Sequence, residues 1–581
     1  MKNKIILKNL LKKNIINEVD INLYKILQKN ENKIIKIIIL LLIYTYKIGN
    51  ISLNTKKIYK QTLILKNIWK KFFSIKNYYK IIKNSIVISD KVKSHTPIIF
   101  YKKKFYFHKM LHLKKNIDKN IFTKINANQN INYIKKLLKK NKINKLNKFQ
   151  KISLILSVLN KKMFILGGAG TGKTTVISYI IFFILKIFRK IKKIKIAAAT
   201  GKAATNILFS IKKHLSKLKI KKSDKKKIPK RSYTIHDLLK ISPGKTYPKF
   251  CKKKKLNIDL LIIDEISMIS TILFKNLIDA TKKTTKIIFL GDFNQISSMS
   301  RINILRHICK KENNSFSKKI SKILEYITNY KILKKKKSKD NICILKKNYR
   351  VKKTSGIYKI SQMILKSQTK ILTAEITKKR FKDIIFKEIH KQYEYICMIK
   401  MIVKKYKRYW SLIKKNSNPL NILKEFNKIR ILCAIKKGPF GTKQINKNIK
   451  KIIIDKKIIK KKEKWYIGKP IMITENQKDL NIFNGYIGIL LYDKKKKKRI
   501  FFKTYENSLL KIPKYAIKKY DVSWASTIHK SQGLEFKETI IILPEKQKKI
   551  FNKELIYTGI TRTIKKTTIF VKNKILIKSI K

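Results

Sequence analysis

The chain has 581 residues, 44% of them hydrophobic, which is material for about three or four packed domains. Its 144 Lys+Arg against 31 Asp+Glu give a formal charge of +113, compatible with nucleic acid but unable to locate it, because lysine, isoleucine and asparagine are inflated along the whole chain as in an AT-rich genome. Five scattered cysteines without ligand spacing, apolar runs (Ile37 to Tyr46, Val176 to Phe188) that do not suit a bilayer span, and no secretory pattern exclude a disulfide scaffold, a zinc ribbon and a membrane protein, and predict a reduced, cytoplasmic setting.

Residues 1–130 carry helix-like apolar spacing and a run, Pro97 to Phe107, that predicts a hairpin with a lysine turn. No catalytic constellation lies there, so this is predicted to be an accessory or docking domain. A new pattern starts at Ile131, and Asn147-Lys148-Phe149-Gln150 opens a helix. Gln150 stands a short helix upstream of a glycine-rich turn, where an amide can read the edge of an adenine.

The turn itself follows four apolar residues, Met163 to Leu166. The spacing Gly167-x4-Gly172-Lys173-Thr174 is that of a P-loop, with four of the chain's 16 glycines inside six positions. Backbone N–H groups of Gly167, Gly168, Ala169, Gly170, Thr171 and Gly172 are predicted to cradle the phosphates of ATP, together with the start of a helix at Lys173, Thr174 and Thr175. Lys173 reaches the β/γ-phosphates and the Thr174 hydroxyl ligates Mg²⁺.

A second apolar strand, Ile194 to Ala199, ends in Thr200-Gly201-Lys202-Ala203-Ala204, where Thr200 and Lys202 either hold a nucleic-acid phosphate or cap the loop. Lys212 to Arg231 is predicted to be a solvated excursion before Thr234-Ile235-His236. Asp259-Leu260-Leu261-Ile262-Ile263-Asp264-Glu265 predicts a central parallel strand with two carboxylates at its C-terminal end, where open α/β sheets bind ligands. Asp264 is the Mg²⁺ candidate and Glu265 the acceptor of a proton from the attacking water. A third strand leads to Gln295, placed to sense the γ-phosphate. These elements predict one RecA-like domain over 131–330.

A strand at Ile342 to Leu345 delivers Asn348-Tyr349-Arg350, assigned with 331–435 and 515–581 to a second RecA-like domain lacking a P-loop. Short β-rich pieces within 436–514, broken at Asn484-Gly485 and by a lysine run, predict a small inserted antiparallel barrel. Trp524 to Phe536 and Tyr557 to Arg562 complete the second domain. A P-loop in one lobe and arginines in a facing lobe build a composite site, with Arg350 and Arg562 as fingers on the γ-phosphate.

The ordered motifs resemble superfamily 1 helicases of the 5′-to-3′ class, and more closely the RecD family of exodeoxyribonuclease V alpha subunits. The likeness rests on Ala-Thr-Gly-Lys-Ala-Ala at 199–204, Thr-Ile-His at 234–236, Asp-Glu-Ile-Ser-Met at 264–268 and Gly-Asp-x-x-Gln at 291–295. Tyr349-Arg350, Gly438-Pro439-Phe440-Gly441, Phe483-Asn484-Gly485, Trp524 to Phe536 and Tyr557 to Arg562 extend it. It covers roughly residues 130–575. Ala199 and Ala169 stand where the family has proline, and Tyr486 where it has aspartate; the last puts a barrel-to-DNA contact in question.

The resemblance implies an α/β protein of two RecA-like P-loop NTPase lobes, an inserted SH3-like β-barrel and a mostly helical N-terminal domain. It implies an ATP- and Mg²⁺-dependent motor running 5′ to 3′ on single-stranded DNA from duplex ends. The beta (RecB) and gamma (RecC) subunits would complete a heterotrimer acting in double-strand-break repair and recombination, with nuclease activity in the beta subunit. Thr200, Lys202, His236, Thr527 and His529 are the implied DNA-side residues, and Trp524 either stacks a base or fills a core. Two alternatives stand beside this reading: a free-standing RecD-like or Pif-family helicase, and a structural subunit whose motor has decayed.

Overall fold

The computed structural model describes residues 17–47, 50–54, 82–122, 131–141, 143–218, 220–242, 247–296, 309, 313–335, 338–460, 463–480, 482–504, 508–545 and 551–580. Parts of the basic connection predicted over 300–340, residues 300–308, 310–312 and 336–337, lie outside them. In the N-terminal region, helices Glu18–Leu27, Lys33–Lys47 and His108–Ile121 surround a small sheet of β1 (Leu53–Asn54), β2 (Ile88–Ser89), β3 (Ile98–Phe100) and β4 (Lys104–Phe107), in the order β1-β4-β3-β2. The predicted hairpin is present. Lys102 and Lys103 both take positive φ (50° and 59°), and Tyr101 and Lys104 exchange both backbone hydrogen bonds, which is how a two-residue turn matches the twist of its strands. Met110, Ile117 and Ile121 of the last helix enter the core of the following lobe, so the region is docked on its neighbour.

The first lobe is a six-stranded, wholly parallel sheet of β5 (Lys162–Gly167), β6 (Ile194–Ala198), β7 (Tyr233–Thr234), β8 (Leu260–Asp264), β9 (Lys286–Gly291) and β10 (Ile342–Leu345), ordered β10-β5-β9-β8-β6-β7. Continuous apolar runs explain the placement of β5, β8 and β9, because crossover helices cover both faces and no alternation is needed. Lys286 stands out among these buried strands: its Nζ donates to the carbonyls of Ser157 (2.8 Å), Val158 (2.9 Å) and Asn160 (2.6 Å), at the C-terminus of helix Lys148–Leu159. Burial pushes its pKa down to about 7, while the carbonyl cluster and the negative end of the helix dipole favour a donor there. Lys286→Met should therefore lower the unfolding free energy by roughly 2–4 kcal/mol, read by denaturant unfolding of the full chain, since it orphans buried acceptors that no solvent reaches.

One boundary differs from expectation. Strand β10 was assigned to the second lobe, yet it pairs with β5 and extends the first sheet to Leu345. Its apolar face joins the first lobe's cores through Ile342, Cys343 and Leu345, so the lobe ends after residue 345 rather than at 330.

The second lobe is a five-stranded parallel sheet of β11 (Ile384–Lys387), β12 (Ile429–Cys433), β18 (Ala525–Thr527), β19 (Phe536–Ile542) and β20 (Thr563–Phe570), ordered β11-β20-β19-β12-β18. Between β12 and β18 the chain builds an antiparallel sheet from β13 (Pro470–Ile473), β14 (Ile487–Tyr492), β15 (Lys498–Lys503), β16 (Leu509–Pro513) and β17 (Tyr520–Val522), with β16 and β17 at its edges. Its limits also shift from 436–514. Helix Thr442–Asp455 inserts Ile445, Ile449 and Ile453 into the second lobe's core instead, and β17 lies beyond residue 514. No described helix is long and apolar enough to cross a membrane.

Candidate active site

The P-loop forms where β5 ends. Gly170 and Gly172 hold φ of +80° and +82°, a region that side chains resist. Space forbids a Cβ as well: at Gly170 it would lie 2.5 Å from Arg350 Cβ, and at Gly172 2.7 Å from Gln150 Nε2. Lys173 opens helix Lys173–Ile187, and its Nζ donates to the carbonyls of Gly167 (2.6 Å) and Gly168 (3.1 Å) across the mouth of the loop. Thr174 and Thr175 follow on the first turn. The Thr171 hydroxyl donates to Gly168 O, which tightens the loop.

Gln150, only 2% exposed, is a brace for this loop. Its Nε2 donates to Thr171 O (3.1 Å), and its Oε1 accepts from Asn147 N–H (3.1 Å) in a capping box and from the Tyr349 hydroxyl (3.4 Å). Both acceptor lone pairs and one donor are thus committed, and a base can be read by one remaining amide hydrogen, not by the donor-and-acceptor pair expected.

The carboxylates arrive at the end of β8. Asp264 is the first residue of that strand to leave the fully buried interior, and its Oδ1 accepts from Glu265 N–H (2.8 Å). Burial, reinforced by the neighbouring Glu265 charge and opposed by Lys173, pushes the Asp264 pKa up to about 7. A desolvated carboxylate beside a hydroxyl helix start is the oxygen donor set that suits Mg²⁺, so Asp264 and Thr174 fit that ion. Glu265 sits at φ +51°, which turns its side chain out of the strand line.

From the end of β9, Asp292 accepts from Gln295 Nε2 (3.0 Å) and from the hydroxyl of Tyr557 in the other lobe (3.4 Å); burial raises its pKa. Gln295 Oε1 is buried without a hydrogen-bond partner among the described residues. The next residue, Ile296, is held by the second lobe at both backbone groups: its N–H by Thr558 Oγ1 (3.0 Å) and its O by Gln532 Nε2 (3.1 Å).

Arg562, 3% exposed, lies just past helix Lys553–Ile560 and donates to Thr558 O and Leu534 O. Arg350 was expected on the facing lobe; its backbone instead follows β10 beside the P-loop, and only its guanidinium reaches across, donating to Thr561 O (2.9 Å) and pairing with Glu535. Burial lowers the Arg350 pKa, with Glu535 acting in the opposite sense. One cleft of about 690 Å³ is lined by Ala169 to Thr175, Asp264, Glu265, Gln295, Arg350 and Arg562, while Gly167 and Gly168, also proposed for the phosphates, line the neighbouring cavity.

Residues 150–301 match the AAA domain family and residues 522–569 the UvrD-like helicase C-terminal domain. The RecBCD enzyme subunit RecD of Buchnera aphidicola subsp. Schizaphis graminum is 39% identical over 84% of this chain and 83% of its own length. The chain belongs to the RecD family. Its Haemophilus influenzae relative is 30% identical over 71% of this chain and 67% of its own length. A Bacteroides Pif1 helicase solved with ADP-AlF3 and ssDNA aligns with a TM-score of 0.39 at 16% identity, covering 74% of this chain and 94% of that one. The assignment rests on the RecD relatives.

Of the residues that RecD resemblance put on the DNA side, His236 is exposed on helix Ile235–Leu239, and Thr527 and His529 are half-buried where β18 ends. Thr200 caps helix Gly201–Leu215 through Ala203 N–H, and Lys202 Nζ donates to Gly485 O (2.7 Å) of the inserted sheet, its pKa pushed by burial down to about 7. Trp524 is 0% exposed and encased by Tyr406, Tyr409, Trp410 and Phe426, with Nε1 donating to the Tyr466 hydroxyl (3.0 Å). It is a core residue, and the stacking role is withdrawn. Asp292, Asn348, Tyr349, Glu535 and Tyr557 were not singled out. Each lies within one or two residues of a chosen motif position or inside a quoted motif, and adjacency was the one signal available.

Proposed function

We propose that this RecD-family chain is an ATP-dependent DNA helicase of the RecBCD type, moving 5′ to 3′ along single-stranded DNA entered from duplex ends. The observation that carries the reading is the two-sided cleft: phosphate loop, Asp264 and Glu265 from one lobe, Arg562 from the other, Arg350 spanning both.

Bound Mg²⁺, held by Thr174 and Asp264, would supply charge neutralisation at the phosphates. Lys173 exchanges its carbonyl partners for β/γ-phosphate oxygens. Tyr349, 50% exposed on the rim, offers the flat face a base needs. Glu265 accepts the proton of the attacking water, and the Gln295 carbonyl oxygen suits that water's other hydrogen better than it suits a phosphate oxygen, since both of the latter are acceptors. Because Ile296 is clamped by Thr558 and Gln532, a shift of Gln295 is transmitted to the lobe that carries Thr527 and His529. Alternating closure and opening then moves a strand gripped on the DNA side, where Thr200, Lys202 and His236 are the candidates from the first lobe.

The family name supports a cytoplasmic heterotrimer with beta and gamma subunits, the nuclease residing in the beta subunit. The decayed-motor alternative has to account for seven functional residues retained and converging on one cleft. The test is unwinding of a 5′-tailed against a 3′-tailed duplex, with and without the beta and gamma subunits, at two salt concentrations. Preference for the 5′ tail, weakening at high salt, is expected. No unwinding and no DNA-stimulated ATP turnover in any combination overturns the motor.

A further inference from the structure

Arg350 is rooted in one lobe and tied at its tip to the other. Its N–H and that of Val351 donate to Asn348 Oδ1, Asn348 Nδ2 donates to Ala169 O (3.0 Å), and Tyr349 N–H donates to Gly170 O (2.8 Å), so the root is fixed to the P-loop. At the tip, NH1 is taken by Thr561 O and NH2 by the Glu535 carboxylate.

Among the described residues, three carboxylates line the cleft: Asp264, Glu265 and Glu535. The first two serve metal and water. Glu535 stands on the opposite lobe, and its partner is the arginine that has to meet the γ-phosphate. NH2 carries two hydrogens, so a phosphate oxygen that approaches it shares the guanidinium with that carboxylate, and two anions on one guanidinium repel each other across a few ångströms. Glu535 also ends the segment 527–535 that begins with the DNA-side candidates Thr527 and His529, so strand binding and finger release share one loop.

We propose that Glu535 is a positioning residue that competes with the γ-phosphate for Arg350 and holds the finger back until DNA binding moves its loop. This rests on the ATPase reading above. Glu535→Gln removes the charge and keeps the shape. With fluorescent nucleotides and no DNA, the variant should bind a non-hydrolysable triphosphate analogue about fivefold more tightly, the scale of a partly exposed ion pair, and bind ADP unchanged. DNA-independent ATP turnover should rise by a similar factor. In an Arg350→Ala background the same substitution should change neither affinity.

Equal affinity of variant and wild type for the triphosphate analogue overturns the proposal. So does a weakened affinity for both ADP and the triphosphate that disappears with 2′,3′-dideoxy nucleotides, because that pattern assigns Glu535 to the ribose. Failure of the wild type to hydrolyse ATP with single-stranded DNA would instead sink the ATPase reading, and the binding comparison still decides the competition.

Discussion

Lys173→Gln is expected to reduce single-stranded-DNA-stimulated ATP hydrolysis by about 10²–10³-fold, with unwinding falling in step. The physical ground is the geometry of the loop mouth. Lys173 Nζ lies 2.6 Å from Gly167 O and 3.1 Å from Gly168 O, at the start of the helix whose N–H groups face the phosphates. Among the described residues lining the catalytic cleft it is the one lysine, so no second ammonium stands ready to replace it. Glutamine retains donors that can bridge the same carbonyls, which keeps the loop in shape; what it removes is a positive charge that is worth most in the transition state, where charge develops on the γ-phosphoryl oxygens. Affinity for single-stranded DNA in the absence of nucleotide should stay within twofold, measured by anisotropy. A variant that keeps more than a tenth of wild-type turnover would show that the cleft is not where ATP is hydrolysed.

That cleft was legible in the sequence to the extent that its parts are local. Gly170 and Gly172 announce positive φ, and an apolar run ending in Asp264-Glu265 announces a buried strand with its ligands at the C-terminal end. What local pattern cannot carry is the identity of a distant partner. Ile342 to Leu345 is an apolar run that would fit either sheet; contacts of Asn348 and Tyr349 with Ala169 and Gly170, some 180 residues away, go with its place beside β5. The same holds for Lys202. Its motif position offered a DNA phosphate or a loop cap, and the fold ties it to the carbonyl of Gly485, on a sheet inserted far along the chain. Glu535 was passed over because a carboxylate next to Phe536 has no meaning until the guanidinium of Arg350 reaches it.

Trp524 shows the consequence of such a distant partner most sharply, and its replacement is the second large effect expected. Trp524→Ala should cost roughly 3–5 kcal/mol of stability in the second lobe, the range for deleting a large aromatic side chain from a packed core. Four rings surround it at centroid distances of 5.2 to 5.8 Å, and three of them, Tyr406, Tyr409 and Phe426, also contact one another. Alanine would open a cavity in the middle of that cluster and leave the Tyr466 hydroxyl without the indole N–H. Trp524→Phe separates the core role from a DNA role, because it fills most of the space and still presents a face on which a base could stack. It should lower stability by about 1–2 kcal/mol through the lost hydrogen bond and smaller ring, and leave affinity for single-stranded DNA unchanged. Stacking on the indole would be worth about 1–3 kcal/mol per base, so Trp524→Ala, refolded at low temperature or rescued by nucleotide, would then lose roughly 5- to 150-fold in DNA affinity. Because a side chain with no exposed surface has no face to offer a base, the expected loss in the folded variant is less than twofold, and a larger one would move Trp524 from the core to the DNA groove.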